Sequence, residues 1–227
     1  MRPLRLPLSA VCLVFAMGNA TLAREADPAP FLPTKADAVA PEGAASLCQT
    51  HDWACAEGTQ GAELGADLLK QVRKINRAAN SAIQPVTDLD QYAVAEHWAL
   101  PGAQGGDCED YAMFKKQALI EAGVSADRLL LAVVLDRRDE PHAVLVLRTD
   151  GGDFVLDNVT NRILPWGRTG YTFISMQNPE NPAGWVTVFE QSERPKLTIR
   201  GLVAGLTGKS HDLQPEMDSA TVETGGF

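Results

Sequence analysis

Two stretches of the chain carry apolar residues at helical spacing. Between residues 62 and 82, Leu64, Leu68, Leu69, Val72, Ile75 and Ala79 recur every three or four positions, with Lys70, Arg73, Lys74 and Arg77 between them. That spacing predicts an amphipathic helix whose basic stripe faces solvent. The second run begins at Cys108: Tyr111, Ala112, Phe114, Ala118, Leu119 and Ala122 hold the helical period, and Gly123 ends it. Lys115 and Lys116 are expected to face away from the core. Between the two helices, Gln84-Pro85 opens a connection with Asp88 and Asp90. A short segment then holds Tyr92, Ala93 and Trp98, and Pro101 with Gly102, Gly105 and Gly106 breaks it.

Beyond residue 123 the period changes to that of strands. Leu129–Leu135 is a continuous apolar run, Arg137-Arg138-Asp139-Glu140-Pro141 a charged turn, and residues 142–147 a second run rich in Val and Leu. Asp150-Gly151-Gly152 is a turn signal, and residues 154–159 make a third strand, so the three form an antiparallel meander. Residues 185–189 are expected to add an edge strand after a Pro/Asn-rich loop at 178–182. Helices followed by strands predict an α+β domain, with N-terminal helices packed on an antiparallel β-sheet.

The ends read differently. Met1-Arg2-Pro3-Leu4-Arg5, an apolar run over residues 6–17 and small residues ending in Thr21-Leu22-Ala23 have the layout of a secretory signal peptide over residues 1–23. Cleavage after Ala20 and a retained anchor are the alternatives. The run is short for a bilayer, so the mature protein is expected not to span a membrane. Residues 24–45 read as a flexible lead, 46–190 as the folded domain, and 191–227 as a largely disordered tail. Arg2 and Arg5 leave with the signal peptide, which takes the net charge from -9 to -11. That balance argues against nucleic acid or an anionic membrane surface as partner and leaves room for divalent cations.

Export gives the cysteines meaning. Cys12 lies in the signal peptide, and Cys48 and Cys55 are close enough to form a loop-closing disulfide in an oxidising compartment; a Cys/His metal site with His51 is the weaker alternative. Cys108 is left over. It follows Gly105-Gly106 in a helix's first turn, where unpaired N–H groups and the helix dipole favour a thiolate. A thiolate nucleophile needs a base, and the base an orienting group. Of the four histidines, His142 opens the second strand, and Asp157 lies fifteen residues on, with the turn roughly midway. A hairpin through Thr149-Asp150-Gly151 would bring the two within one residue of direct pairing. Ordinary strand-end polar residues are the alternative for both.

At this point the chain resembles a known family. Residues 105–112, Gly-Gly-Asp-Cys-Glu-Asp-Tyr-Ala, with Pro141-His142-Ala143-Val144-Leu145, Val155-Leu156-Asp157-Asn158, the paired cysteines and Trp185-Val186, resemble the bacterial transglutaminase-like cysteine proteinases over roughly residues 46–190. The resemblance implies a papain-like or transglutaminase-like fold with Cys108 as nucleophile, His142 as general base and acid, and Asp157 orienting the imidazole. It further implies a calcium-dependent periplasmic endoprotease that cleaves a protein substrate such as a large surface adhesin, with a membrane receptor as a possible regulator. The acids bracketing the cysteine, Asp107 and Glu109, would bind Ca2+.

Electrostatics agree with that calcium requirement. A carboxylate about 5 Å from a thiolate, at an effective dielectric near 20, opposes ionisation by roughly 3 kcal/mol, or about two pKa units. Asp107, Glu109 and Asp110 would suppress the thiolate until a cation neutralised them. The alternative is that they only cap the helix, Asp107 as N-cap. The backbone N–H of Cys108 is the natural oxyanion donor, with Trp98 as a second candidate unless it belongs to the core. Two further functions stay open: acyl transfer to an amine, and a calcium-responsive binding module with a vestigial triad.

Overall fold

The computed structural model describes residues 30–58 and 64–189. The expected signal peptide, residues 24–29 of the expected lead and the expected tail at 191–227 lie outside them. Among the described residues, seven antiparallel strands, numbered in chain order, form one sheet in the order β1-β7-β6-β2-β3-β4-β5. They span β1 Asp37–Ala38, β2 Leu129–Leu135, β3 Pro141–Thr149, β4 Gly152–Leu156, β5 Leu164–Pro165, β6 Thr172–Asn178 and β7 Asn181–Thr187. Four α-helices among the described residues precede β2: α1 Leu47–Thr50, α2 Ala66–Ala82, α3 Asp88–Tyr92 and α4 Cys108–Glu121.

The unbroken apolar run of β2 has a direct cause: both of its faces are covered. Leu129, Leu131, Val133 and Leu135 join Met113, Leu119 and Val72 beneath the helices. Leu130, Ala132 and Val134 join Val144, Val146, Phe173 and Met176 on the far face. That second core also takes in Leu32, which explains the first departure from expectation. Residues 30–45 are not a flexible lead: Leu32 is buried, its N–H donates to Asp153 Oδ2 at 2.8 Å, and β1 pairs with β7 through Asp37↔Val186. Strand pairing satisfies backbone groups whatever the side chains, so a segment without apolar period can still close a sheet edge. The folded region thus begins well before residue 46.

Two strand assignments also change. Residues 185–189 were expected at an edge, but β7 lies between β6 and β1, and the presumed loop at 178–182 is the tight turn of the β6–β7 hairpin, closed by Asn178↔Asn181. β6 itself was not expected, because Thr172–Asn178 mixes polar and apolar residues without clear alternation. In the β3–β4 hairpin, Thr149 pairs with Gly152, which leaves Asp150-Gly151 as the turn and moves the register one residue along from the expected midpoint. Asp157 lies just past β4 rather than within it.

Cys48 and Cys55 are joined in a disulfide. It closes a short loop whose Ala54 carbonyl accepts from Gln177 Nε2 at 3.0 Å. Closing so small a loop stabilises by roughly 2 to 3 kcal/mol. The bridge also removes the Cys/His metal alternative.

The largest correction concerns α4. Lys115 and Lys116 do not face away: both are fully buried, while Phe114 is 37% exposed. The helix is packed against α2 on one side and against β2 and β3 on the other, so most of its circumference is interior. Lys116 Nζ donates to Gln177 Oε1 at 2.7 Å, and the Lys115 ammonium stands 5.8 Å from the centre of the Tyr111 ring.

Burial lowers the Lys116 pKa to about 7, against a weaker opposing pull from Asp127. An unfolded lysine titrates near 10.4, so burying the cation costs nothing above that pH. The cost grows as pH falls and is complete, on the order of 4 kcal/mol, below the folded value. Gln177 Oε1 keeps a second donor, the Leu131 N–H at 3.1 Å. Lys116→Met is therefore expected to raise the urea midpoint, more at pH 6 than at pH 9; a loss at both pH values would contradict this.

Candidate active site

The approach to Cys108 is set by two glycines. Gly105 has φ +129°, and a Cβ there would come within 1.9 Å of the Gln84 carbonyl oxygen. Gly106 donates its N–H to that carbonyl at 3.0 Å and accepts from Val86 at 3.1 Å; a Cβ would lie 2.3 Å from Asp110 Oδ2. The chain can thus run tight against residues 84–86 and turn straight into α4. Asp107 is the N-cap residue of α4, but its side chain accepts from no N–H of that helix. Instead its Oδ2 accepts from the backbone N–H of Asp88 at 3.1 Å.

Cys108 is the free cysteine among the described residues and is half-buried. Its Sγ accepts from the Ala143 N–H at 3.4 Å and donates to Glu109 Oε2 at 3.2 Å. Burial, then the negative charges of Glu109 and Asp107, push the thiol pKa well above its ordinary value, with the Ala143 N–H opposing. Both the burial and the neighbouring carboxylates thus disfavour the thiolate.

Ala143 follows His142, so β3 brings the backbone next to His142 to the Cys108 end of α4. His142 is 8% exposed, and its Nε2 stands 3.0 Å from Asp157 Oδ1. Continuing the hairpin register would set His142 opposite Val159. Asp157 is two residues away from that, hence on the same face and within diagonal reach.

Asp157 is held from several sides. Oδ1 also accepts from the Val159 N–H at 3.0 Å, and Oδ2 accepts from the Tyr171 hydroxyl at 2.6 Å. Burial raises its pKa, but the bonds from His142, Tyr171 and Val159 outweigh this and hold it below the usual carboxylate value. Asn80 on α2 donates to the Asp157 carbonyl at 2.9 Å and to Thr160 O at 3.2 Å, which ties the following loop down.

On the other side of Cys108 the carboxylates crowd together. One oxygen each from Asp88, Asp107 and Glu109 lies within 4.8 Å of the others. Burial and then Asp107 raise the Asp88 pKa, and burial, Asp107 and Glu96 push Glu109 well up. Burial takes Glu96 to about 7, against the Trp98 bond and with help from Asp107 and Asp88; Asp110 also rises to about 7, chiefly by burial. Asp107 Oδ1 and Asp110 Oδ2 are buried without a hydrogen-bond partner. Oxygen-only donors, mutual repulsion and an orphaned Asp107 oxygen fit a hard divalent cation.

The structure thus brings Asp107 and Glu109 together as expected and adds Asp88, which sequence spacing did not reveal because it arrives from α3, nineteen residues upstream. The capping alternative for Asp107 is not what the side chain does. Trp98 is core: it is buried, packs edge-on to Trp185 at 5.7 Å and gives its indole N–H to Glu96 Oε2 at 3.1 Å. His51 and His97 stand instead against Trp53 and Tyr92, and His211 lies outside the described residues.

This combination of an α+β fold and a cysteine at a helix start is that of a transglutaminase-like cysteine peptidase. Residues 34–193 match the family described as bacterial transglutaminase-like cysteine proteinase, and the chain belongs to that family. Among solved structures it is similar to Legionella pneumophila LapG in calcium-bound form, with 26% identity over 52% of this chain and 68% of that one at a TM-score of 0.45. The EGTA-treated form of Legionella pneumophila LapG gives 21% identity over 62% of this chain and 77% of that one, also at 0.45. No curated protein matches.

The glycine geometry yields a test. Gly105→Ala forces a side chain onto a carbonyl oxygen at a positive φ, and is expected to cost about 2 kcal/mol or more of stability. An unchanged urea midpoint would show that the turn into α4 is not constrained as described.

Proposed function

We propose that the protein is an exported, calcium-dependent cysteine endopeptidase using Cys108, His142 and Asp157. The observation that carries the reading is the His142–Asp157 bond at 3.0 Å, set beside a cysteine whose sulfur accepts from the next residue of the same strand. Nε2 is engaged with Asp157, so Nδ1 is the nitrogen that serves the thiol. It takes the Sγ proton as sulfur attacks the scissile carbonyl carbon. The C–N bond breaks, His142 returns the proton to the leaving amine, and a thioester remains on Cys108. His142 then takes a proton from water as its oxygen attacks the thioester carbon; the C–S bond breaks, and the proton passes from His142 to Sγ, which frees the acid product and restores the thiol. Asp157 holds the imidazole's orientation and stabilises its cation. The Cys108 N–H, in the first turn of α4, is the donor placed for the oxyanion.

Asp88, Asp107 and Glu109 would hold the calcium ion. When bound, it would offset the negative charge that otherwise keeps the thiol protonated. Residues 1–23 direct the chain to the periplasm in this reading. No helix among the described residues is long and apolar enough to cross a membrane. The substrate is a protein. A large surface adhesin and a regulatory membrane receptor are the partners that the resemblance of residues 105–112 and 141–158 implies.

Labelling with a thiol-reactive active-site probe tests this. In calcium, labelling should require both Cys108 and His142 and vanish in Cys108→Ser. In chelator it should slow by about tenfold or more. Equal labelling in chelator would remove the calcium requirement, and no labelling of the folded protein in either condition would leave only the binding-module reading.

A further inference from the structure

The triad reading accounts for one oxygen of Asp157, and the structure assigns a task to the other. We propose that Tyr171 is a positioning residue for His142, acting through Asp157; this rests on the triad reading above. The Tyr171 hydroxyl donates to Asp157 Oδ2 at 2.6 Å, while Oδ1 faces His142 Nε2 and the Val159 N–H. The carboxylate is thus gripped at both oxygens, so its plane, and with it the direction it offers the imidazole, is fixed. Tyr171 also touches the imidazole itself: the two rings meet edge to face at 5.8 Å and 85°. A single side chain therefore holds both the base and its orienting group.

The placement is built rather than incidental. Tyr171 precedes β6, whose Thr172 pairs with Leu135, and Leu135 in turn pairs with Pro141 beside His142. The ring thus reaches the histidine from two strands away. The turn before it is locked: Thr169 Oγ1 donates to Trp166 O at 2.8 Å and accepts from the Tyr171 N–H at 3.1 Å, and Arg137 Nε donates to Thr169 O at 2.8 Å. Gly170, at φ +74°, makes the bend that aims Tyr171 inward. Burial and the adjoining Asp157 raise the phenol pKa far above its usual value, so the hydroxyl stays a donor.

Tyr171→Phe keeps the ring and its packing and removes only the donor. With an irreversible peptidyl probe in calcium, the maximal inactivation rate constant should fall about tenfold while the probe's half-saturating concentration stays unchanged, the scale of a charge-assisted hydrogen bond. In an Asp157→Asn background the same substitution should change the rate constant less than about twofold, because the partner it acts through is gone. Replacing Tyr171 with p-aminophenylalanine, which restores an N–H donor, should recover part of the rate.

An unchanged rate constant in Tyr171→Phe, with His142→Ala and Asp157→Asn impaired, would overturn the role of Tyr171 and leave the triad standing. Additive losses in the double variant would also overturn it, since Tyr171 would then act by another route. Full rates in His142→Ala and Asp157→Asn would instead sink the triad reading itself.

Discussion

Carboxylates packed around a half-buried thiol set the terms for the rest of the site. Asp88, Asp107 and Glu109 bring oxygens within 4.8 Å of one another, and Glu96 and Asp110 add to the same region. At such separations, out of bulk water, each ionised group raises the cost of ionising the next. The structure answers in part with backbone donors: the Asp88 N–H to Asp107, the His97 N–H to Asp88, and the Ala99 N–H to Asp110. It leaves Asp107 Oδ1 and Asp110 Oδ2 unanswered. The same crowding and burial raise the pKa of the Cys108 thiol.

The opposite side of Cys108 is organised on different physics. There the sheet supplies rigidity: β2 is covered on both faces, and β3 runs beside it with His142 at its start. Asp157 is pinned at both oxygens, and Asn80 latches its backbone to α2. Cys108 thus lies between a crowded acidic pocket and the hydrogen-bonded His142–Asp157 pair. Helix α4 joins the two halves, and its interior packing, with two lysines buried along it, shows how little freedom that helix has.

Legibility in the sequence followed the same division. The His142–Asp157 contact could be anticipated because hairpin geometry ties sequence separation to distance, and a shift of the pairing partner by two residues keeps the same face. The Cys108 helix start was legible from the glycines and the apolar period after them. Asp88 and Tyr171 were not, since each arrives from an element whose position depends on tertiary packing, and β6 had no clear alternation to announce it. Lys115 and Lys116 misled because polarity reads as exposure, whereas a helix enclosed by α2 and the sheet has little exposed face to offer. The segment 30–45 misled in the opposite way: its composition looks disordered, yet buried Leu32, the backbone bonds of Pro30, Lys35 and Ala36, and the β1–β7 pairing fasten it to the sheet.

The central claim, that the acidic crowd beside Cys108 exists to take a cation, is tested most directly by calorimetric titration of calcium into the chelator-treated protein. The account predicts one ion per chain, with binding weakened or lost in Asp88→Asn and in Asp107→Asn while both variants stay folded. Absence of binding at millimolar calcium, or binding that both substitutions leave intact, would contradict it.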